Sequence, residues 1–214
     1  MNPERHLSVD DELIARIGRR LLREPQEFDV SNPVTPDWHP DEAHSRPPVP
    51  AAVLIALVRR PGGVSILYTE RSPTLRSHSG QIAFPGGKID PTDRDAADAA
   101  LREAEEEVAL VREEAQVLGY LPLYYTGTNY LITPVVAVVT PHAPFIPNPG
   151  EVRSVFEVPL EYLRAPGSFS TFSVRRGDQE HSTWQINHSG LVIWGITANL
   201  TRCFHDIALG PEAG

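Results

Sequence analysis

The stretch from Gly86 to Leu110, GGKIDPTDRDAADAALREAEEEVAL, constrains the chain more than any other. It opens on a Gly-Gly turn, passes through an Asp-rich loop and predicts a helix beginning near Asp95. At about 100° of rotation per residue, Glu103, Glu106 and Glu107 converge on one face. Ala97, Leu101, Ala104 and Val108 share a separate face, which gives the helix something to bury. Glu105 falls between the two and reads as solvated. Carboxylates crowded in this way repel one another by roughly a few tenths of a kcal/mol per pair. A helix that needed only a wet surface would interleave Lys or Arg. A hard divalent cation removes the repulsion, because Mg2+ takes oxygen ligands and meets substrate phosphates. For a bare Glu run the solvated face is the first reading; the Gly-Gly turn and the residues before it shift the balance.

Those residues are Leu67 to Gly87, LYTERSPTLRSHSGQIAFPGG. Together the two stretches resemble the Nudix hydrolases, whose box runs Gly, five residues, Glu, seven residues, Arg-Glu, aliphatic, any, Glu-Glu, any, Gly, aliphatic. Arg102 to Leu110 supplies the second half. The chain departs from the box twice: Ala109 stands for the closing Gly, and Asp93 stands for the loop Glu with one extra residue before Arg102. With Ala at that position, the helix is expected to run through Ala109. The upstream stretch is similar to the extra motif of the coenzyme A pyrophosphatase branch, with Arg71, Ser72, Arg76, Gly80 and Phe84 to Gly87 in register. Tyr68 replaces a Leu. The resemblance covers about residues 51 to 208.

The resemblance implies a mixed β-sheet sandwiched between helices, an α/β Nudix fold with a loop-helix-loop box. It implies Glu103 and Glu107 as ligands of Mg2+ or Mn2+, with Glu106 next. Gly87 is a candidate backbone ligand, because glycine lets a carbonyl approach an ion closely. Arg102 points off the acid face and is expected to pair with a box acid. Glu151, at the end of a loop before a strand, is the candidate general base, and an exposed loop Glu is its plain alternative. Arg71, Arg76, Gly80 and Gly86 are the candidate substrate contacts; for each Arg, pairing with a box acid stays open. The implied activity is metal-dependent hydrolysis of a small diphosphate, coenzyme A or a derivative, to 3',5'-ADP and 4'-phosphopantetheine. ADP-ribose or another nucleoside diphosphate derivative is the alternative substrate, and a catalytically silent nucleotide sensor the alternative of another class.

Composition sets outer bounds. The chain has 214 residues, 41% of them hydrophobic, enough for one sizeable core. A net charge of −9 argues against nucleic-acid binding, which needs a basic stripe. It leaves room for an anionic small molecule, since a bound cation inverts the local sign. The longest apolar run, Ala51 to Val58, is a strand length and too short for a bilayer. Met1 to Arg20 lacks the apolar core of a signal peptide, so a cytoplasmic protein is expected. The single cysteine, Cys203, excludes an intrachain disulfide.

Three regions follow. Residues 1–24 carry an amphipathic helix, Asp10 to Arg23, with Asp10 as its cap, which packs on the main domain or on a second subunit of a homodimer. Residues 25–50, with seven prolines between Pro25 and Pro50, form a linker or wrapped arm. Residues 51–214 form the Nudix domain. Within it, strands are expected at Ala51 to Arg60, Val64 to Thr69, Val117 to Leu123, Leu131 to Val139 and Ser154 to Val158. Pro134 marks an edge or a bulge. A hairpin spans Phe169 to Asn187, and a last helix starts near Ile193 or Trp194, with Trp194, Thr197, Leu200, Thr201 and Phe204 in the core.

Overall fold

The apolar run becomes β1 (Val49–Arg60), the centre of an eight-stranded mixed sheet. The computed structural model describes residues 8–29, 47–74, 80–176 and 179–210. Arg76, the stretch Ser77 to Ser79, most of the proline-rich arm and the turn at Gly177-Asp178 lie outside the described residues. Ala52, Leu54, Ala56 and Val58 of β1 face one layer of helix and Ala51, Ile55 and Leu57 face the other. Both faces are covered, which is why the run is continuous and not alternating.

β7 (Tyr130–Val139) lies parallel to β1 along its whole length, from Val49 opposite Tyr130 to Val58 opposite Val139. Its far side pairs antiparallel with β5 (Ala115–Tyr120) and β6 (Tyr124–Tyr125). Pro134 is therefore in an interior strand, not at the expected edge. Its carbonyl accepts the Leu121 N–H at 3.0 Å. Within a strand the N and O of one residue point to the same side, so the N–H that Pro134 lacks would face the break between β5 and β6. No ladder bond is lost there.

β2 (Gly63–Arg71) turns back from β1 but pairs with it only at Leu57 to Arg60, and the two strands then part. The gap is filled by one short segment. β3 (Ile82–Ala83) pairs with Thr69 and Glu70 of β2, β4 (Gly86–Lys88) pairs with Ala51 to Val53 of β1, and the Leu54 N–H donates to Pro85 O at 2.8 Å. Gly86-Gly87 is thus a strand, not the expected turn, because the parting strand β1 offers it a free edge. β8 (Val152–Pro159) closes the outer side of β2 and leads into α3 (Leu160–Arg164).

α2 (Ala96–Val108) covers one face of the sheet. Its N-cap Asp95 accepts the Asp98 N–H at 2.8 Å. The buried side is mostly alanine, Ala96, Ala99, Ala100 and Ala104, and lies on Ala52, Leu54, Val135 and Ala137. Small side chains on both surfaces bring the helix close to the sheet. The helix does not continue through Ala109, as its sequence led us to expect. Ala109 turns left-handed, φ 54° and ψ 38°. The reason is Leu110, only 1% exposed, which must fold back into the core below the helix. Ala109 N–H donates to Glu105 O at 3.0 Å, the bond of an αL-type closure made without glycine, and Leu110 N–H reaches Ala104 O at 3.3 Å.

The opposite face is covered by α1 (Val9–Arg20), α3 and α4 (Ile196–Phe204). α1 is capped by Ser8, not Asp10. Ser8 Oγ accepts the Asp11 N–H and the Asp11 carboxylate accepts the Ser8 N–H, both at 3.1 Å. That reciprocal pair satisfies two orphan donors at once, which Asp10 could not do. The helix ends at Arg20 because Leu22 leaves it to pair with Tyr120, with N–H to O distances of 3.0 and 2.9 Å. Gly119 makes the crossing possible, since a Cβ there would lie 2.5 Å from Leu22 O. Ile14, Ile17 and Leu21 join the core of the main sheet, so α1 packs on its own chain.

β9 (Phe169–Arg176), β10 (Gln179–His188) and β11 (Leu191–Trp194) form a second, three-stranded sheet. The last helix therefore starts later than expected. A turn at Ser189-Gly190 sends the chain back as β11, and Gly195 (φ 65°) then starts α4. Trp194 lies on this strand, 40% exposed, not in the core; Thr197, Leu200, Thr201 and Phe204 are buried. Thr197 Oγ1 donates to Ile82 O at 2.9 Å, and Tyr68 and Thr201 share a 3.0 Å hydroxyl contact. These bonds fasten α4 onto β2 and β3. No described helix is long and apolar enough to cross a membrane.

The left-handed Ala109 yields a stability test. An L-residue in that region costs about 1–2 kcal/mol, and glycine returns about 0.5–1 kcal/mol of that in chain entropy. Ala109→Gly is expected to stabilise the fold by about 0.5–1 kcal/mol, read as a higher denaturant midpoint at unchanged m-value. A loss of stability would show that Ala109 leaves the left-handed region in solution.

Candidate active site

The site forms where β4 crosses under α2. A Cβ on Gly87 would stand 2.3 Å from Glu103 Oε1 and 2.5 Å from its carboxyl carbon. A Cβ on Gly86 would stand 2.4 Å from Ala52 O. Two glycines are therefore needed for two different reasons: one lets β4 lie against β1, the other lets a carboxylate lie against β4.

Glu107 is one turn further along α2. It is only 3% exposed, and its Oε2 has no hydrogen-bond partner among the described residues. Burial pushes its carboxyl up to about 8; the Glu103 and Glu151 carboxylates push the same way, while Arg71 and the Gly86 N–H oppose. Burial also raises the half-buried Glu103, against the neighbouring Arg102 and with help from Glu106 and Glu151. Glu106 lies at the rim, its side chain 55% exposed. Desolvated carboxylates of this kind call for a proton or a cation. Among the described residues no three Asp, Glu, His or Cys side chains already stand as a closed metal cage. The unpartnered Glu107 oxygen and the glycine cradle under Glu103 nevertheless fit a hard divalent ion with an oxygen donor set.

Arg102 organises the acids. Its Nε and Nη2 donate to the two carboxylate oxygens of Asp93 at 2.9 and 3.0 Å. Nη1 donates to Glu103 at 3.0 Å and Glu106 at 3.4 Å, and Nη2 also reaches Lys88 O at 3.2 Å. One planar cation thus ties the loop, β4 and two acids of the helix together. Asp93, its side chain 3% exposed, holds Arg102 and also accepts the Asp90 N–H at 2.8 Å. The shorter acid on the longer loop thereby serves as an anchor for Arg102.

Glu151 begins the descent into β8. Its side chain is exposed, yet its charge is felt at both Glu103 and Glu107. Its carbonyl accepts the Ser72 N–H at 2.7 Å. Arg71 ends β2 at a register shift opposite β8. Its N–H donates to Gln81 O at 3.0 Å, and Gly80 N–H donates to Arg71 O at 3.2 Å, so the chain between them is closed at its base. Arg71 Nε is buried without a hydrogen-bond partner, and Arg71 makes no ion pair among the described residues, although Glu107 feels its charge. Glu103, Glu107, Glu151, Gly87 and Arg71 are therefore brought together, Gly86 supports β4 and Gly80 closes the adjoining loop. Arg76 lies outside the described residues. What sequence reasoning did not single out is Asn148, in the loop that leads to Glu151; its only signal is a lone Asn between Pro147 and Pro149.

β4, wedged between the parting strands and roofed by a helix with an acid face, brings desolvated carboxylates and an arginine to one place, a set suited to a hard cation and an anionic oxygen. The "NUDIX domain" family matches residues 48–175. NudL of Escherichia coli K12, an uncharacterized Nudix hydrolase, is 43% identical over 152 residues, which cover 71% of this chain and 79% of NudL. The NudL of Klebsiella pneumoniae strain 342 is 41% identical over the same shares. Among solved structures, DR0079 of Deinococcus radiodurans covers 72% of this chain and 81% of its own, at 19% identity and a TM-score of 0.46. The chain belongs to the Nudix family. It is a Nudix hydrolase, of a family that acts on nucleoside diphosphate derivatives and generally needs divalent metal ions.

The buried acid generates a pH test on metal-free protein. An unfolded Glu titrates near about 4.3, and folded Glu107 near about 8. The folded state holds the proton more tightly, so Glu107 contributes stability below the lower value, and this is lost as pH rises through the upper one. With a chelator present, the melting temperature is expected to fall between pH 5 and 8 more steeply in wild type than in Glu107→Gln. Parallel curves for the two proteins would refute the buried-acid account.

Proposed function

We propose that this Nudix hydrolase cleaves the diphosphate of coenzyme A or a close derivative, releasing 3',5'-ADP and 4'-phosphopantetheine. One observation carries this reading. Arg71, in the stretch that resembles the coenzyme A pyrophosphatase motif, lies near enough to Glu107 for its charge to be felt there, and it is left without an ion-pair partner among the described residues. An arginine meant to hold the box together would be paired, as Arg102 is. An arginine that waits for an anionic oxygen would be buried at its base and unpaired at the cleft.

Glu103 and Glu107, then Glu106 and the Gly87 carbonyl, are the groups that would hold Mg2+ or Mn2+. When bound, the ion supplies positive charge against the diphosphate oxygens. The chain's own residues do the rest. Arg71 pairs with a phosphate oxygen of the substrate through its planar fork. Glu151 accepts the proton of a water that attacks phosphorus in line, while the bond from that phosphorus to the departing phosphate oxygen breaks. Arg102 keeps Glu103 against β4 so that the charges face the substrate in a fixed arrangement. Arg76, in the same loop sequence as Arg71, is the second candidate for the 3'-phosphate, a dianion that ADP-ribose lacks.

Two measurements test this. Glu107→Gln is expected to lose orders of magnitude in turnover at retained fold, and Glu105→Gln, whose carboxylate pairs with Arg112 at 2.7 Å outside the cleft, to stay near wild type. Equal losses would end the acid-face reading. The second is a substrate panel of coenzyme A, 3'-dephospho-coenzyme A and ADP-ribose, with products identified. Arg71→Ala or Arg76→Ala should weaken coenzyme A relative to the dephospho form by about 1.5–3 kcal/mol, the worth of a charged hydrogen bond. A ratio unmoved by either substitution would place recognition of the 3'-phosphate elsewhere.

A further inference from the structure

The last carbonyls of α2 are not left to solvent. Ile146 N–H donates to Val108 O at 3.0 Å and Asn148 N–H to Glu107 O at 2.9 Å. The segment that supplies these donors is Ile146-Pro147-Asn148-Pro149-Gly150. The two residues with an N–H turned to the helix alternate with prolines, which have none to place. A proline also holds its φ, so the segment is stiff where it crosses the end of the metal-facing helix.

Asn148 then uses its two oxygens on the other side. Its carbonyl accepts the Glu151 N–H at 3.0 Å and the Val152 N–H at 2.8 Å, and its Oδ1 accepts the Gly150 N–H at 3.1 Å. The side-chain bond is an Asx turn, which fixes the direction in which the chain leaves toward Glu151. Asn148 is therefore bonded at once to the residue that carries the most buried acid and to the turn that presents Glu151.

We infer that Asn148 is a positioning residue for the hydrolysis, setting the place of the Glu151 carboxylate relative to the Glu103 and Glu107 face. The inference rests on the reading of Glu151 given above and deepens it. It commits to a mode of action: Asn148 acts through Glu151 alone, and touches neither substrate nor metal. Alanine removes the Oδ1 bond and keeps the three backbone bonds, so the turn loosens while the cap of α2 survives. Aspartate keeps an acceptor oxygen at the same point.

The test is a double-mutant cycle on the full chain. Asn148→Ala is expected to lower kcat about tenfold with KM and melting temperature nearly unchanged, because a misplaced catalytic group costs rate and not affinity. Asn148→Asp should recover most of the loss. In a Glu151→Gln background Asn148→Ala should cost nothing further, since there is no base left to place. A readout without metal or turnover accompanies it: amide hydrogen exchange at Gly150, Glu151 and Val152 should accelerate in Asn148→Ala and not at Val108. Additive losses in the cycle, or a KM effect in place of a kcat effect, would overturn the positioning role while leaving Glu151 intact. An unchanged kcat in Glu151→Gln alone would instead remove Glu151 from the reaction, and the positioning role with it.

Discussion

The contact between the Glu103 carboxyl and the backbone at Gly87 sets how near a charged helix can lie to a strand. It exists because β1 and β2 separate after their first few pairs, which leaves an edge for β4. It is held because Arg102 grips Glu103 from one side and Asp93 from the other. The alanine surface of α2 brings the helix close to the sheet, and the two glycines accept that closeness at the point where the chemistry needs it. Remove the fit at Gly87 and the acids are still present, but Glu103 no longer lies against β4.

Electrostatics follows from the same packing. A carboxylate on an open helix face is a solvated charge of little consequence. Glu107, on the same face, is driven under the strands and becomes a group whose charge costs more than its protonation. The difference between Glu105 and Glu107 is two residues of sequence and nearly all of the solvent. Arg71 and Arg102 divide in a similar way. One is saturated with acids and acts as a rivet; the other has a buried Nε with no hydrogen-bond partner among the described residues.

Much of this was legible in the sequence because it depends on period and spacing. The helix start at Asp95, the acid face, the buried β1 and the pairing role of Arg102 all follow from local rules. What escaped depends on contacts between distant segments. Pro134 looked like an edge or bulge residue, and only the break between β5 and β6 explains how it sits inside the sheet. Ala109 looked able to continue a helix, and the demand of Leu110 for burial overrode that preference. Trp194 sat at helical spacing with true core residues, and the turn at Ser189-Gly190 moved it onto a strand. Asp93 had the right charge on a loop of the wrong length, and its work became visible only with Arg102 beside it. Asn148 carries only the faint signal of a lone Asn between two prolines, since its bonds to Glu107, Gly150, Glu151 and Val152 appear only once the chain is folded.

The family match ends at residue 175, inside β9, yet the wall of the cleft is fastened by what comes afterwards. Thr197 and Thr201 on α4 hold Ile82 of β3 and Tyr68 of β2. Residues beyond the matched segment thus take part in its packing. α4 braces β2 and β3 from the face of the sheet opposite α2, so a change in α4, a segment with none of the candidate acids on it, is felt at the strand that ends on Arg71.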